Sequence, residues 1–100
     1  MSEPFTHGVW TVKTGREDEF VRLWTEFANW SKREVAGARW AKLLRDRERP
    51  NRFISIGPWT NLGAIERWRD EPGWRERVQA LRPLLEGFEA STCDTVVDIT

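Results

Sequence analysis

The chain has 100 residues, with 16 basic and 16 acidic side chains and a formal net charge of zero at pH 7. This length predicts a single domain over residues 1–100 with one modest core. The arginines are interleaved with Glu and Asp, so the chain lacks the basic surface that holds nucleic acid or an anionic membrane. We therefore expect neither as a partner.

Cysteine content and the N-terminal sequence indicate the cellular setting. Cys93 is the only cysteine, and one thiol cannot form an intrachain disulfide or a Cys-based metal site. The start MSEPFTHGVW lacks the basic residues and apolar run of a signal peptide, and no window is long enough to span a membrane. We expect a soluble, cytoplasmic protein without a metal centre.

The N-terminal part of the chain predicts a strand followed by a long helix. Residues 5–13 are rich in β-branched and aromatic side chains, which is typical of a strand. Residues 14–17 fit a capping box with Thr14 as the helix cap, and basic residues at 32–33 suit the helix C-terminus before Gly37. The predicted apolar face of this helix consists of Phe20, Leu23, Trp24, Phe27 and Ser31, with Trp30 at its border.

A hairpin and a second helix follow. Strands are predicted at 38–46 and 52–59, on either side of the charged turn RERPN. Asn61 or Thr60 can cap the next helix, whose residues Ile65 and Trp68 lie on one face. This part of the chain therefore predicts two antiparallel strands and then a helix.

The C-terminal part predicts one more helix and a last strand. Pro72 suits the first position of a helix, and Pro83 should kink or split it. Residues 91–99 then return to strand character. The apolar stripe of the helix is predicted to consist of Trp74, Val78, Leu81, Leu85 and Phe88.

The element order predicts an α+β, ferredoxin-like βαββαβ fold, with an antiparallel sheet and the helices on one face. Apolar residues occur on both strand parities, so the face away from the helices needs a cover. A second copy of the chain is the simplest cover, which predicts a homodimer through the sheet face. One predicted face carries Trp10, Val12, Trp40, Leu44, Ile54, Ile56 and Val96, and the other carries Phe5, Val9, Leu43, Phe53, Cys93, Val97 and Ile99.

Taken in order, these segments resemble the antibiotic biosynthesis monooxygenase domain over nearly the whole chain. The resemblance rests on VKTGREDEFVRLW after the first strand, on RFISIGPWTNLGAIERW, and on the aromatic helix that follows. It implies a dimeric α+β barrel. Known members oxidise anthrones or quinols with molecular oxygen, or open haem, and the domain also occurs in non-enzymes.

The anthrone-oxidising members need no metal or flavin, and the resemblance to them is incomplete. They carry an Asn one turn before a Trp, and a Tyr six residues after it. Trp68 matches this Trp, Ala64 stands in place of the Asn and Trp74 in place of the Tyr, and the chain has no Tyr. The resemblance thus implies an aromatic pocket wall without the phenol and the amide that handle protons.

The haem-opening members carry an Asn on the first strand, a Trp that corresponds to Trp68 and a His in the last helix. The first position falls near His7 or Gly8, and the last falls near Val78. Because no His is present to bind iron there, we expect neither haem nor another cofactor.

Oxygenation without a cofactor needs a base that removes a proton from the substrate. His7 is the only His and the candidate for this role, provided that its strand face lies under the helices. If the strand alternation is shifted by one residue, the His7 side chain points to the opposite sheet face. The alternative is that His7 has only a structural role. Trp68 is the other candidate catalytic residue, because its ring can contact a substrate and its N–H can donate to an oxygen.

The remaining candidates would line a pocket for a small aromatic molecule. The predicted substrate-binding residues are Trp24, Phe27, Trp59 and Trp74, each of which could instead be ordinary core. Two functions stay open. The first is a cofactor-independent monooxygenase that acts on an anthrone- or quinol-like aromatic, and the alternative is a non-catalytic ligand-binding or structural homodimer of the same fold.

Overall fold

The computed structural model describes residues 3–100, in which four strands form one antiparallel sheet in the order β2-β3-β1-β4. The helices pack on one face of this sheet, so the predicted α+β, ferredoxin-like fold is confirmed. In chain order the elements are β1 (Pro4–Val12), α1 (Glu17–Glu34), β2 (Lys42–Arg45), β3 (Arg52–Pro58), α2 (Leu62–Asp70), α3 (Pro72–Leu81), a short 3-10 turn (Arg82–Leu84) and β4 (Leu85–Asp94).

The strand register defines an inner face toward the helices and an outer face away from them. Trp10 of β1 pairs with Phe53 of β3, and both rings contact Phe20 of α1. Side chains alternate along each strand, so every second residue shares this inner face. The inner face includes Thr6, Gly8, Trp10, Val12, Leu43, Phe53, Ser55, Gly57, Phe88, Ala90 and Thr92. The outer face includes Phe5, His7, Val9, Leu44, Ile54, Ile56, Ser91 and Cys93.

The sheet is apolar on both faces, as predicted, but the residues group differently. Leu43 and Phe53 share the inner face with Trp10, whereas Leu44 and Ile54 lie on the outer face. The predicted grouping was wrong because a count along the chain does not fix how the hairpin strand aligns with β1. The inner face forms most of the core, whose fully buried side chains include Val12, Phe20, Ile65 and Leu81.

The first helix begins later than the capping box predicts. Glu17 is its first residue, and Arg16 stands at the cap position without a side-chain cap hydrogen bond. The Glu17 carboxylate instead accepts a hydrogen bond from the Gly15 N–H at 2.7 Å, and Gly15 has φ 91°. Thr14 is therefore not the cap, because the glycine turn takes the chain into the left-handed region before the helix starts. No helix within residues 3–100 has the length and apolar character needed to cross a membrane.

The C-terminal third differs most from the prediction. The last helix ends at Leu81, the 3-10 turn contains Pro83, and β4 begins at Leu85. Proline has no N–H for the helix ladder, so it ends the helix instead of kinking it. Leu85 and Phe88 are consequently strand residues, and β4 ends at Asp94, before most of the predicted strand at 91–99.

The hairpin strand β2 is also shorter than predicted. It spans four residues, and Ala38 joins the sheet only through an isolated bridge to Trp59. At the other end, Asn61 caps α2 as expected, since its Oδ1 accepts the Ala64 N–H at 2.9 Å. The cap fixes where α2 starts and therefore where its inward-facing residues lie.

Candidate functional site

A cavity of about 670 Å³ lies between the inner face of the sheet and the three helices. Its volume is in the range of pockets that hold small organic molecules. The wall is rich in aromatic rings, because each helix contributes at least one inward-facing ring. The aromatic residues around it include Trp10, Trp24, Phe27, Trp59, Trp68, Trp74 and Phe88.

Trp68 of α2 lies at the centre of this wall. Its ring stacks on Phe27 of α1 with centroids 5.6 Å apart and an interplanar angle of 17°. It also contacts Trp59 at 4.8 Å and meets Trp74 edge-on at 6.0 Å. Offset and edge-to-face contacts of this kind stabilise ring positions beyond simple burial. The structure therefore brings together rings from α1, the end of β3, α2 and α3.

The indole N–H groups of two of these rings, Trp68 and Trp59, donate hydrogen bonds to other residues of the protein. Trp68 Nε1 donates to Ser31 Oγ at 2.8 Å, and the Ser31 hydroxyl donates to the Phe27 carbonyl at 2.8 Å. Trp59 Nε1 donates to Thr6 Oγ1 at 3.1 Å. An indole has one donor, so the expected donation from Trp68 N–H to a substrate oxygen is not available in this arrangement. The two rings offer apolar faces instead.

Trp74 differs from the other rings of the wall. Its Nε1 is buried, and no acceptor within residues 3–100 lies in hydrogen-bonding range. The Trp74 side chain itself is half-buried and borders the cavity. A buried donor without a partner is costly, so this N–H would gain from any acceptor that reaches it.

The floor of the cavity carries a polar pair that the sequence analysis missed. Trp10 Nε1 donates to Ser55 Oγ at 2.9 Å. Gly8 lies beneath them, and a Cβ there would come within 2.8 Å of Ser55 Oγ and 2.9 Å of Trp10 Nε1. The alternation in RFISIGPW could have shown that Ser55 shares a face with Phe53, but nothing in the sequence pairs Ser55 with Trp10.

Cationic side chains are the charged groups at the edge of the cavity. Lys32, Arg39 and Arg69 border it, and no Asp or Glu of residues 3–100 does. Arg69 Nη2 donates to Thr92 Oγ1 at 3.2 Å, while Arg39 forms an ion pair with Glu3. A site with this charge pattern favours a ligand that carries or develops negative charge.

His7 does not project under the helices. It belongs to the strand that floors the cavity, but it pairs with Ile56 and Ser91 in the outer layer of side chains. Its Nδ1 lies 3.5 Å from Ser91 Oγ. The condition on which its predicted role as a base depended, a position on the face under the helices, is therefore not met.

The structure places the other predicted site residues around this same cavity. Trp24 and Phe27 reach it from α1, Trp59 from the end of β3, Trp68 from α2 and Trp74 from α3. Within residues 3–100, no group of three His, Cys, Asp or Glu side chains is arranged to hold a metal ion. The residues that could contact a ligand are thus aromatic rings, small hydroxyls and the cations at the edge.

Comparison with known proteins agrees with this geometry. The sequence profile of a family described as antibiotic biosynthesis monooxygenase matches residues 5–80. No curated protein matches the chain.

Solved structures extend the comparison to the whole chain. SnoaB, a cofactor-independent oxygenase from Streptomyces nogalater, is 27% identical and superposes with a TM-score of 0.88, covering 99% of this chain and 97% of its own. A point mutant of SnoaB gives 25% identity and a TM-score of 0.91, with 99% and 98% covered. PA3566 from Pseudomonas aeruginosa has the same fold at 18% identity, with a TM-score of 0.81 and 97% of both chains covered.

Proposed function

Because the chain belongs to the antibiotic biosynthesis monooxygenase family, we propose that it oxidises a flat aromatic substrate with molecular oxygen and without a cofactor. The proposed substrate class is anthrone- or quinol-like. The observation that carries the proposal is the cavity walled by Phe27, Trp59, Trp68 and Trp74. The similarity to SnoaB, a cofactor-independent oxygenase, supports the reaction class.

In the proposed reaction the substrate supplies all the electrons. An anthrone loses a proton from its ring CH₂ group, and the resulting carbanion reduces oxygen and bonds to it, which gives a hydroperoxide after protonation. The hydroperoxide then eliminates water and leaves a C=O group. One oxygen atom is thus incorporated, the other leaves as water, and the step that the protein must assist is formation of the anion.

The cavity residues have distinct proposed roles in this chemistry. The rings around Trp68 hold the flat substrate and keep water from it. Lys32 and Arg69, both exposed at the edge, attract and stabilise the negative charge of the anion, an effect that the surrounding solvent weakens. With His7 on the outer face and no Asp or Glu of residues 3–100 around the cavity, we propose that the substrate proton passes to water at the solvent-exposed edge of the cavity, where Lys32 and Arg69 lie.

We also propose that the protein is a homodimer whose subunits pack through the outer sheet face. Phe5, Val9, Ile54 and Ile56 on this face are only partly buried in the single chain, and Leu44 is 48% exposed. Covering them would remove a contiguous apolar surface from water. An exposed free thiol at Cys93 fits a reducing compartment, and we propose the cytoplasm.

The alternative function is a non-catalytic ligand-binding or structural homodimer. A specific observation favours it, because His7, the only imidazole, projects from the outer sheet face and no Asp or Glu of residues 3–100 lines the cavity. The cavity would then bind an aromatic ligand that leaves unchanged. The two functions predict the same binding and differ in turnover.

Oxygen uptake distinguishes them. The purified, metal-stripped protein is mixed with a panel of anthrones and naphthoquinols, and oxygen consumption is compared with the spontaneous rate. The oxygenase function predicts consumption above that rate and a lower rate in Trp68→Ala, which removes the central ring. Thr25→Ala, on the exposed side of α1, is the control variant and should leave the rate unchanged. Binding of the panel without uptake would support the alternative.

A further inference from the structure

We propose that the Ser55 hydroxyl is the hydrogen-bond donor that positions the substrate on the cavity floor through one of the oxygen atoms of the substrate. The inference rests on the proposed function and adds a requirement to it. The ligand must carry an acceptor oxygen, such as a carbonyl, a phenolate or an enolate oxygen, at the point where it meets the sheet. Stacking on the rings alone would not fix the orientation of a flat ligand within its plane.

The hydrogen-bond partner of Ser55 determines whether its hydroxyl proton is free to donate to a ligand. Trp10 Nε1 can only donate, and it donates to Ser55 Oγ at 2.9 Å. Ser55 Oγ is therefore an acceptor in this pair, and its own proton remains to be used. Within residues 3–100 the Ser55 hydroxyl donates no hydrogen bond to protein, and Ser55 borders the cavity.

The other hydroxyls that accept from indole N–H groups behave differently. The Ser31 hydroxyl, which accepts from Trp68, donates onward to the Phe27 carbonyl. The Thr6 hydroxyl, which accepts from Trp59, donates onward to the Gly57 carbonyl at 3.5 Å. The Ser31 and Thr6 hydroxyls thus both accept and donate hydrogen bonds within the protein. The Ser55 hydroxyl accepts from Trp10, and its own proton is left for a group in the cavity.

The absence of a side chain at Gly8 leaves room for the hydrogen bond between Trp10 Nε1 and Ser55 Oγ. Gly8 pairs with Ser55 across the sheet, and a Cβ at position 8 would lie 2.8 Å from Ser55 Oγ and 3.3 Å from the Phe88 ring. Any larger residue would thus fill the space where Trp10 reaches Ser55. The Phe88 ring also lies against Trp10, with centroids 4.1 Å apart and an interplanar angle of 31°, so aromatic rings border the half-buried hydroxyl.

A pair of matched ligands tests the inference by binding alone. Fluorenone and fluorene are flat three-ring molecules that differ in one carbonyl oxygen, and neither needs to react. Their affinities are measured by titration calorimetry for the wild-type protein, Ser55→Ala and the control Thr25→Ala, which removes a hydroxyl on the exposed side of α1. Because each ligand is compared across variants, the difference in hydration between the two ligands cancels.

We expect Ser55→Ala to weaken fluorenone binding about fivefold to tenfold and to leave fluorene binding within about twofold. Thr25→Ala should change neither. Gly8→Ala, which separates the Trp10–Ser55 pair, should weaken fluorenone in the same direction. If Gly8→Ala fails to fold, Ser55→Ala still decides the question, since it adds no atom to the cavity floor, although it also leaves the Trp10 N–H without an acceptor.

Two results would overturn the inference without touching the proposed function. One is an equal loss for both ligands in Ser55→Ala, which would indicate a change in cavity shape. The other is unchanged fluorenone binding in that variant. If the wild-type protein bound neither ligand, the proposed aromatic site itself would be wrong, and the role of Ser55 with it.

Discussion

Trp68 on α2 is held by Ser31 on α1, since the indole Nε1 donates to Ser31 Oγ at 2.8 Å while the Ser31 hydroxyl donates to the carbonyl of Phe27. Ser31 is only 7% exposed, so the bond lies within the packed helix interface. The hydroxyl therefore fixes both the rotation of the ring and the spacing of the two helices that carry the cavity wall.

Ser31→Ala should accordingly destabilise the protein by about 1–2 kcal/mol, because it leaves the Trp68 N–H without an acceptor. Chemical denaturation gives the free energy of unfolding. Thr25→Ala is the matched control, since the Thr25 hydroxyl also donates to a carbonyl one turn back, that of Val21, but is exposed and accepts from no indole. Equal losses in the two variants would show that the Trp68 contact contributes nothing.

The position of His7 on the outer face leads to a prediction about catalysis. His7→Ala should retain most of the oxygen uptake of the wild-type protein, because the ring lies beside Ser91 on the outer sheet face and does not project under the helices. Trp68→Ala, measured beside it, should lose most of the uptake. A loss in His7→Ala as large as that in Trp68→Ala would restore His7 as the base and contradict the proton path proposed above.

Much of the architecture could be predicted from the sequence, because strong local signals agree there with tertiary packing. The first strand, the long helix and the Asn61 cap follow from periodicity and capping chemistry. The C-terminal third could not be predicted in the same way. Leu85 and Phe88 continue a helical spacing, but Pro83 ends the helix and the pairing with β1 draws both residues into a strand.

Part of the candidate site could likewise be predicted from the sequence, and part could not. The large rings were identifiable because Trp68 and its neighbours recur at helical spacing and match a family pattern. Ser55 and the orientation of His7 depend on strand register, which is a relation between distant segments, and a shift of one residue exchanges the two faces. Polar contacts across the sheet therefore needed the structure.

The proposed dimer predicts a charge-sensitive outer face. Ile54→Glu should convert the dimer to monomer, because a charge buried in an apolar interface without a partner costs several kcal/mol. Light scattering measures the change. Leu62→Glu is the matched control, since Leu62 lies at the start of α2, away from this face, and is 53% exposed. A wild-type monomer at micromolar concentration, or a dimeric Ile54→Glu, would contradict the arrangement.

The turn between β2 and β3 should respond to acid through Asp46. Backbone N–H groups of Glu48 and Arg49, and then Arg52, hold the pKa of Asp46 below its ordinary value of 3.8. The folded state favours the charged form, so this contribution to stability is present above the ordinary pKa and is lost as the pH falls through the lowered one.

NMR titration of the Asp46 carboxyl group should therefore show a midpoint below 3.8, with the Glu48 and Arg49 amide signals moving over the same range. Asp46→Asn keeps an oxygen for the two N–H groups and should abolish the acid response of those signals. A midpoint at or above 3.8 would show that the turn does not hold the carboxylate.

Close approach at Gly73 gives a further prediction, which concerns how α3 reaches the cavity. A Cβ at position 73 would overlap Cζ2 of the Trp30 ring, which is 8% exposed and packed in the core. Gly73→Ala must displace that ring or the first turn of α3, which also carries Trp74. We expect a loss of about 1–3 kcal/mol in the free energy of unfolding, typical of overpacking, together with weaker ligand binding.

Gly87→Ala is the matched control and should be tolerated, because the nearest atom to a Cβ there is 4.0 Å away. If Gly73→Ala were as stable as Gly87→Ala and bound ligand normally, the tight packing of α3 on Trp30 would not be what positions Trp74 in the cavity wall.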